Sequence, residues 1–255
     1  MQRAPDKTLE LLREVRQTYD RIVDDGCEIH DRLIRLNDQL IRLRFAGAAL
    51  VDLVLPALEH LLVEGETAPQ PDLTVCLWDE ATTGVGMPAS PWSTDDFTSR
   101  REIHGANGPG VKVAYDMYCG IFSVVSLDDG CAYWWISSPE RLPAYERAAP
   151  LREILQAWSE HKRGVFVHAA AVGDTSGAIL LVGKGGSGKS TTAMAAASAG
   201  LRLVGEDYCL LSYRDRTPMV HSLFASAKLT DHSLSMFPDW RQLQSIRCAM
   251  TATRL

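Results

Sequence analysis

No stretch of this sequence approaches the roughly 18 unbroken apolar residues that a membrane-spanning helix requires. The nearest candidate, residues 45–63, is broken by Asp52, Pro56, Glu59 and His60. The opening residues, MQRAPDKTLE, hold no apolar stretch of the kind a secretory signal uses. A cytoplasmic protein that makes no use of a membrane is therefore expected. Positive charge is short as well. Lys and Arg number 26 against 32 Asp and Glu, and the net charge of −6 argues against nucleic-acid binding through a broad basic face. Cys27, Cys76, Cys119, Cys131, Cys209 and Cys248 are scattered, with no C-x-x-C pair and no Cys/His spacing suited to zinc. In a reducing compartment they read as small core residues. H-E-x-x-H and G-x-S-x-G are both missing, so zinc-hydrolase and serine-esterase readings have no support.

What is present has the composition of an ordinary globule, 46% hydrophobic and 23% charged. Its length suits one large domain or two small ones. Leu12, Val15, Tyr19 and Ile22 recur at helical spacing. Gly26 interrupts the pattern and residues 28–36 resume it weakly, so residues 1–38 are expected as a helical N-terminal arm. QLIRLRFAG (39–47) alternates as a strand, residues 48–62 read as a helix kinked at Pro56, 64–71 as a loop and DLTVCLW as a strand. Residues 80–110 are rich in Gly, Pro, Ser and Thr and predict no element. Strands are expected at 111–118, 121–127 and 131–136, the last two joined by the turn Asp128-Asp129-Gly130. Trp134 and Trp135 alternate on the last of these, one expected in a core and the other at an interface. Residues 39–148 thus form a β-rich N-terminal domain.

The remainder, 149–255, opens with a helix bounded by Pro150 and Gly164 in the favoured order. A strand VFVHAAAVG follows, then a strand at 178–182, a loop, and an Ala-rich helix at 189–199 stopped by Gly200. LRLV, an acidic turn, a second strand and a further strand in PMVHSLFASAKL complete the pattern.

The loop, within LLVGKGGSGKSTTAM (180–194), fits two phosphate-binding patterns. Gly183-x-Gly185-x-x-Gly188 is the glycine turn of a dinucleotide fold, and Gly183-x4-Gly188-Lys189-Ser190 is a P-loop. At ordinary glycine usage the first should occur by chance in roughly one chain in ten of this length, the second in about one in a hundred. Chemistry agrees. Close helix–strand packing in a dinucleotide fold leaves little room for a lysine after the third glycine. A magnesium triphosphate wants backbone amides, a lysine for the β- and γ-oxygens and a hydroxyl on the metal. The loop therefore reads as a site for ATP and Mg2+ made by Gly183, Lys184, Gly185, Gly186, Ser187, Gly188, Lys189, Ser190 and Thr191. Glu206-Asp207 closes the run that follows the helix, 17 and 18 residues after Lys189. The pair is read as one carboxylate on magnesium and one base for an incoming hydroxyl, or else as a plain acidic turn.

The stretch VHAAAVG…GAILLVGKGGSGKSTTAMAAASAGLRLVGEDYCLL resembles the catalytic core of the HPr kinase/phosphatase family. It resembles more closely the related kinases encoded with lasso-peptide biosynthesis enzymes. The shared pattern is a His-containing strand, a strand, G-x4-G-K-S, a helix, and RLV before two acids, across residues 165–211. LRFAGAAL, PALEHLL, PLREIL and HSLFASAKL extend a looser likeness. The resemblance implies an α/β fold with the mixed-sheet P-loop kinase core related to phosphoenolpyruvate carboxykinase. It also implies a homo-oligomer, and transfer from ATP with Mg2+ to a serine of a peptide or small protein. Carried over by position, Lys189 and Ser190 hold phosphate and metal, and His168 lies beside the phosphates. Glu206 stands in the place of the general base and Asp207 in that of the second, metal-binding acid.

Two departures bear on this. The first acid of the family is usually Asp, and here it is Glu. The chain also stops at RCAMTATRL, where further strands and helices are expected, so 149–255 reads as a short variant or, by preference, a C-terminally incomplete core. His168 by itself, on an apolar strand, would read as a core histidine. Lys228 in SAKL either contacts phosphate or substrate or is simply solvated. Three functions stay open: a peptide or protein serine kinase, which is favoured; a nucleotide-binding regulatory or scaffold subunit without transfer; and a small-molecule kinase or ATPase.

Overall fold

The computed structural model describes residues 5–63, 70–227, 235–237 and, for the backbone, 252–254. The chain divides into two compact units. Residues 1–55, 62–147 and 151–158 make the first, and 56–61, 148–150 and 159–255 the second.

The first unit lays a helix on a six-stranded sheet. Helix α1 (Asp6–Asp24) buries Leu11, Leu12, Val15, Tyr19 and Ile22 along one stripe, as their three-to-four-residue recurrence requires. Residues 28–36, expected to resume the helix, form a strand instead. β1 (Ile29–Leu36) pairs antiparallel with β2 (Gln39–Ala46), from Ile29↔Ala46 to Leu36↔Gln39, and Asn37 at φ 53° turns the chain between them. Residues 48–62 are not one kinked helix. α2 (Val51–Val54) gives way to a 3-10 segment, Leu55–Leu61, at the residue before Pro56.

β3 (Leu73–Asp79) lies where expected, and its last residue caps α3 (Glu80–Thr83), Asp79 Oδ1 accepting from Thr82 N at 2.7 Å. β4 (Val111–Asp116), β5 (Ile121–Ser126) and β6 (Cys131–Ile136) complete the sheet, in the order β1-β2-β3-β6-β5-β4. The β2/β3 and β3/β6 pairs are parallel and the others antiparallel, so this is a mixed α/β fold with a mixed sheet. Every residue of β5 is buried, as are all but the first of β6. Trp134 and Trp135, exposed by 2% and 9%, are consequently both core residues, and neither takes the interface position expected for one of them.

Helices α4 (Ala144–Ala148) and α5 (Arg152–His161) follow. Within the first unit Arg101 gathers three carboxylates: Asp116 at 2.9 Å, Glu146 at 2.6 Å and Glu153 at 2.8 Å. Arg152 joins Glu153 at 2.8 Å. Burial pushes the Glu146 carboxyl up, and Arg101 offsets only part of that. At Glu153 burial acts in the same direction, but Arg152 and Arg101 together outweigh it and hold the group below the usual range.

The second unit carries two smaller sheets. Its elements are β7 (Val165–Val167), β8 (Ala170–Gly173), β9 (Ala178–Leu181), α6 (Lys189–Ser198), β10 (Arg202–Gly205), β11 (Cys209–Arg214), β12 (Thr217–Ser222) and β13 (Ala252–Arg254). One sheet runs β10-β8-β9 and the other β13-β12-β11-β7, with every pair antiparallel. VFVHAAAVG, expected as a single strand, is interrupted at His168–Ala169, so β7 joins one sheet and β8 the other. Its partner breaks at the same level. Gly205 pairs with Ala171 and Cys209 with Val167, which leaves residues 206–208 opposite 168–170. Ala170, Val172 and Leu203 pack with Ala193 of α6, while Ala171, Val204, Cys209 and Val220 form a cluster on the alternate side chains.

Cys76, Cys119 and Cys209 are buried, and Cys27 and Cys131 half-buried. Cys248, Lys228 and most of the expected 64–71 loop lie outside the described residues. Among the described residues no helix is long and apolar enough to cross a membrane.

Candidate functional site

β9 ends at Leu181, and α6 begins at Lys189 with Gly188 as its N-cap. The turn between them needs its glycines for two separate reasons. Gly188 sits at φ 89°, in the left-handed region that L side chains avoid. At Gly183 a Cβ would lie 2.6 Å from Ser187 Oγ, so the turn closes around a bare backbone. Ser187 N donates to Lys184 O at 3.1 Å and Thr192 N to Gly188 O at 2.8 Å, so the turn leads directly into the helix. The first N–H groups of a helix have no intrahelical acceptor, and its dipole favours an anion at that end. Lys189 Nζ folds back over the turn, donating to Gly183 O at 3.0 Å and Lys184 O at 3.4 Å. Ser190 and Thr191 are half-buried in the first helical turn.

Strand register brings the remaining residues to the same edge. Ala170 pairs with Leu181 and Ala171 with Gly205. The end of β9 before the glycine turn, the start of β8 after His168 and the end of β10 before Glu206 therefore share one edge of the three-stranded sheet. At about 4.8 Å per strand spacing, the ends of β9 and β10 lie on the order of 10 Å apart, a span that a nucleotide's phosphates and a metal ion can bridge. His168 Nε2 lies 2.8 Å from Asp207 Oδ1, and the imidazole is 55% exposed, so this is no satisfied core histidine. Glu206 is 5% exposed.

Sequence reasoning missed what surrounds the acids. The Tyr208 ring lies 5.4 Å from that of His168, 5.5 Å from Phe166 and 6.4 Å, edge-on, from Phe224. Glu206, Asp207, Tyr208 and Phe224 line a cavity with Ala148, Ala149 and Ser226. It holds about 10 Å3, on the order of one water. Tyr208 could have been found as the residue next to the acid pair. Ala148 and Ala149 gave no signal, since two alanines before a proline read only as a helix start.

These residues fit a magnesium triphosphate. The turn offers backbone amides, with open space beside Gly185, Gly186 and Gly188, and Lys189 supplies a cation. Mg2+ is commonly held by one or two carboxylates together with substrate phosphates rather than by an all-protein cage. Asp207 would supply such a carboxylate, and the Ser190 hydroxyl stands in the first turn of α6. Compared with known proteins, the chain matches no family model, and no curated protein matches it.

Proposed function

We propose that the chain is an ATP-dependent kinase that phosphorylates a serine hydroxyl of a peptide or small protein. One observation carries the reading: the glycine turn with Lys189, the Glu206-Asp207 pair and His168 meet at one edge of one sheet. The backbone amides of 183–188 and Lys189 would hold the phosphates, and Ser190 and Asp207 the Mg2+. When bound, the ion supplies charge neutralisation at the β- and γ-oxygens. Glu206, largely withdrawn from solvent, accepts the proton of the acceptor hydroxyl as that oxygen bonds to the γ-phosphorus and the bond to the β–γ bridging oxygen breaks. The Asp207 contact would orient the ring of His168 beside the phosphates. The P-loop kinase core and the homo-oligomeric state of HPr kinase relatives belong to the same proposal, while the described sheets around the glycine turn are antiparallel and not mixed.

A second reading has its own observation. The cavity beside Glu206 has room for about one water, which favours a subunit that binds nucleotide without transferring phosphate. The deciding experiment incubates the protein with γ-labelled ATP, Mg2+ and a panel of serine-containing peptides. Label on a peptide serine, lost in Glu206→Gln, supports the kinase. Tight Mg-ATP binding with no label on any peptide supports the second reading.

A further inference from the structure

The first unit holds a cavity of about 240 Å3 whose ten lining residues include no charged side chain. Half of them are aromatic: Trp92, Phe97, Tyr115, Phe122 and Trp135, with Met87 beside them. Phe97 and Tyr115 are set against each other at 5.1 Å between centroids and 49° between planes. Much of the wall comes from residues 84–110, the long segment between α3 and β4, whose only regular element is the 3-10 turn Thr94–Asp96. Irregular segments of this length inside compact domains are uncommon and usually functional. This one is pinned rather than loose. Val85 O accepts from Trp78 Nε1 at 3.1 Å, Asp96 O from His104 N at 2.8 Å, and Ala106 O from Thr8 Oγ1 at 2.7 Å. Asn107 Oδ1 accepts from Val113 N at 2.7 Å. The backbone is thus fixed around the cavity instead of collapsing into it.

We infer that this cavity binds one aromatic side chain of a peptide ligand. The wall selects against charge, because an ion entering it would lose its hydration and meet no counter-charge. Its rings offer the tilted and edge-on geometries that a further ring adopts, and Met87 can adapt to the ring that enters. The volume lies below the range of about 300–1,000 Å3 usual for pockets that enclose a whole small ligand, so it takes one side chain and leaves the rest of the chain outside. The site lies wholly within the first unit and does not depend on the phosphoryl-transfer reading.

The test is ligand-observed saturation-transfer NMR on the full chain with the α-amides of N-acetyl-phenylalanine, N-acetyl-lysine and N-acetyl-glutamic acid, the last keeping its side-chain carboxylate free. Saturable binding of the phenylalanine amide is expected, with the charged amides weaker by at least about tenfold. Met87→Trp, which fills the space, and Trp92→Ala, which removes a half-buried wall, should each weaken the phenylalanine amide by about tenfold or more while Mg-ATP binding at the second unit stays unchanged. If Met87→Trp fails to fold, Trp92→Ala carries the test. The inference is overturned by no saturable binding by the folded protein, by equal binding of the charged amides, or by unchanged affinity in the folded variants. Binding that vanishes as the chain dimerises with concentration also overturns it, since a second copy would then be the occupant.

Discussion

Replacing the loop glycines one at a time separates those that shape the turn from those a ligand needs bare. At Gly183 an added Cβ would sit 2.6 Å from Ser187 Oγ and 3.3 Å from Ser187 Cβ. The hydroxyl can rotate away but the Cβ moves only with the backbone. Gly183→Ala should therefore displace the turn, at a cost of about 1–3 kcal/mol. That corresponds to roughly 5- to 150-fold in the affinity of any ligand the turn cradles. Adding Ser187→Gly removes the obstacle, so the double variant should recover most of the loss, with a coupling energy of about 1–2 kcal/mol. Gly188→Ala differs. Nothing lies within 4 Å of its added Cβ, but φ is 89°. Its penalty, about 1–2 kcal/mol, comes from the backbone, so no change at a neighbour can recover it. Gly185 has neither constraint. Gly185→Ala should melt like the parent yet lose Mg-ATP affinity, because the phosphate must approach the backbone there. Mg-ATP calorimetry and thermal melting on these variants give the answer. If Gly183→Ala and Gly185→Ala both bind Mg-ATP like the parent, the turn is not a phosphate cradle. If Ser187→Gly gives no recovery, the contact argument fails.

Two further predictions concern stability. Arg101→Met leaves the buried Glu146 and Asp116 without their cation and should cost about 3–5 kcal/mol at pH 7.5. Glu146 is held above its ordinary range when folded, so protonation relieves the variant and its deficit should shrink towards pH 5; a deficit independent of pH in denaturant unfolding would contradict this. His60, in the second unit, has neither ring nitrogen hydrogen-bonded, and burial pushes its pKa down to about 4. The unfolded state takes up the proton first, so stability is fully present above about pH 6.5 and falls by about 3 kcal/mol as pH drops to 4. His60→Leu should remove that slope from urea unfolding midpoints, and an unchanged slope would refute the assignment.

How much of this was legible in the sequence depended on whether a local pattern had a rival. Helix α1 was legible because Leu12, Val15, Tyr19 and Ile22 fit no strand. The glycine turn, its helix and the acid pair were legible because each rests on residues within a few positions. β1 was misread because Ile29, Leu33 and Leu36 suit a helical stripe as well as a strand, and pairing with β2 decides between them. A signal existed: LIRL occurs at 33–36 and again at 40–43, with Asn37-Asp38 between. The break at His168 was not legible. Alternating small apolar residues continue smoothly through VFVHAAAVG, and only the partner strand's break at 206–208 divides the run between two sheets. Nor could the cavity beside Glu206 be read, since Ala148 and Phe224 come to it from far apart in the chain.

The central claim is that Glu206 takes a proton during phosphoryl transfer while Asp207 holds the metal. Its most direct test measures Mg-ATP affinity and label transfer to a serine peptide on the same samples of the parent, Glu206→Gln, Glu206→Asp and Asp207→Asn. The account predicts that Glu206→Gln binds Mg-ATP nearly as the parent does but transfers about 10²–10⁴-fold more slowly. Glu206→Asp should keep activity, and Asp207→Asn should weaken magnesium-dependent binding itself. Transfer by Glu206→Gln at the parent's rate would contradict the account.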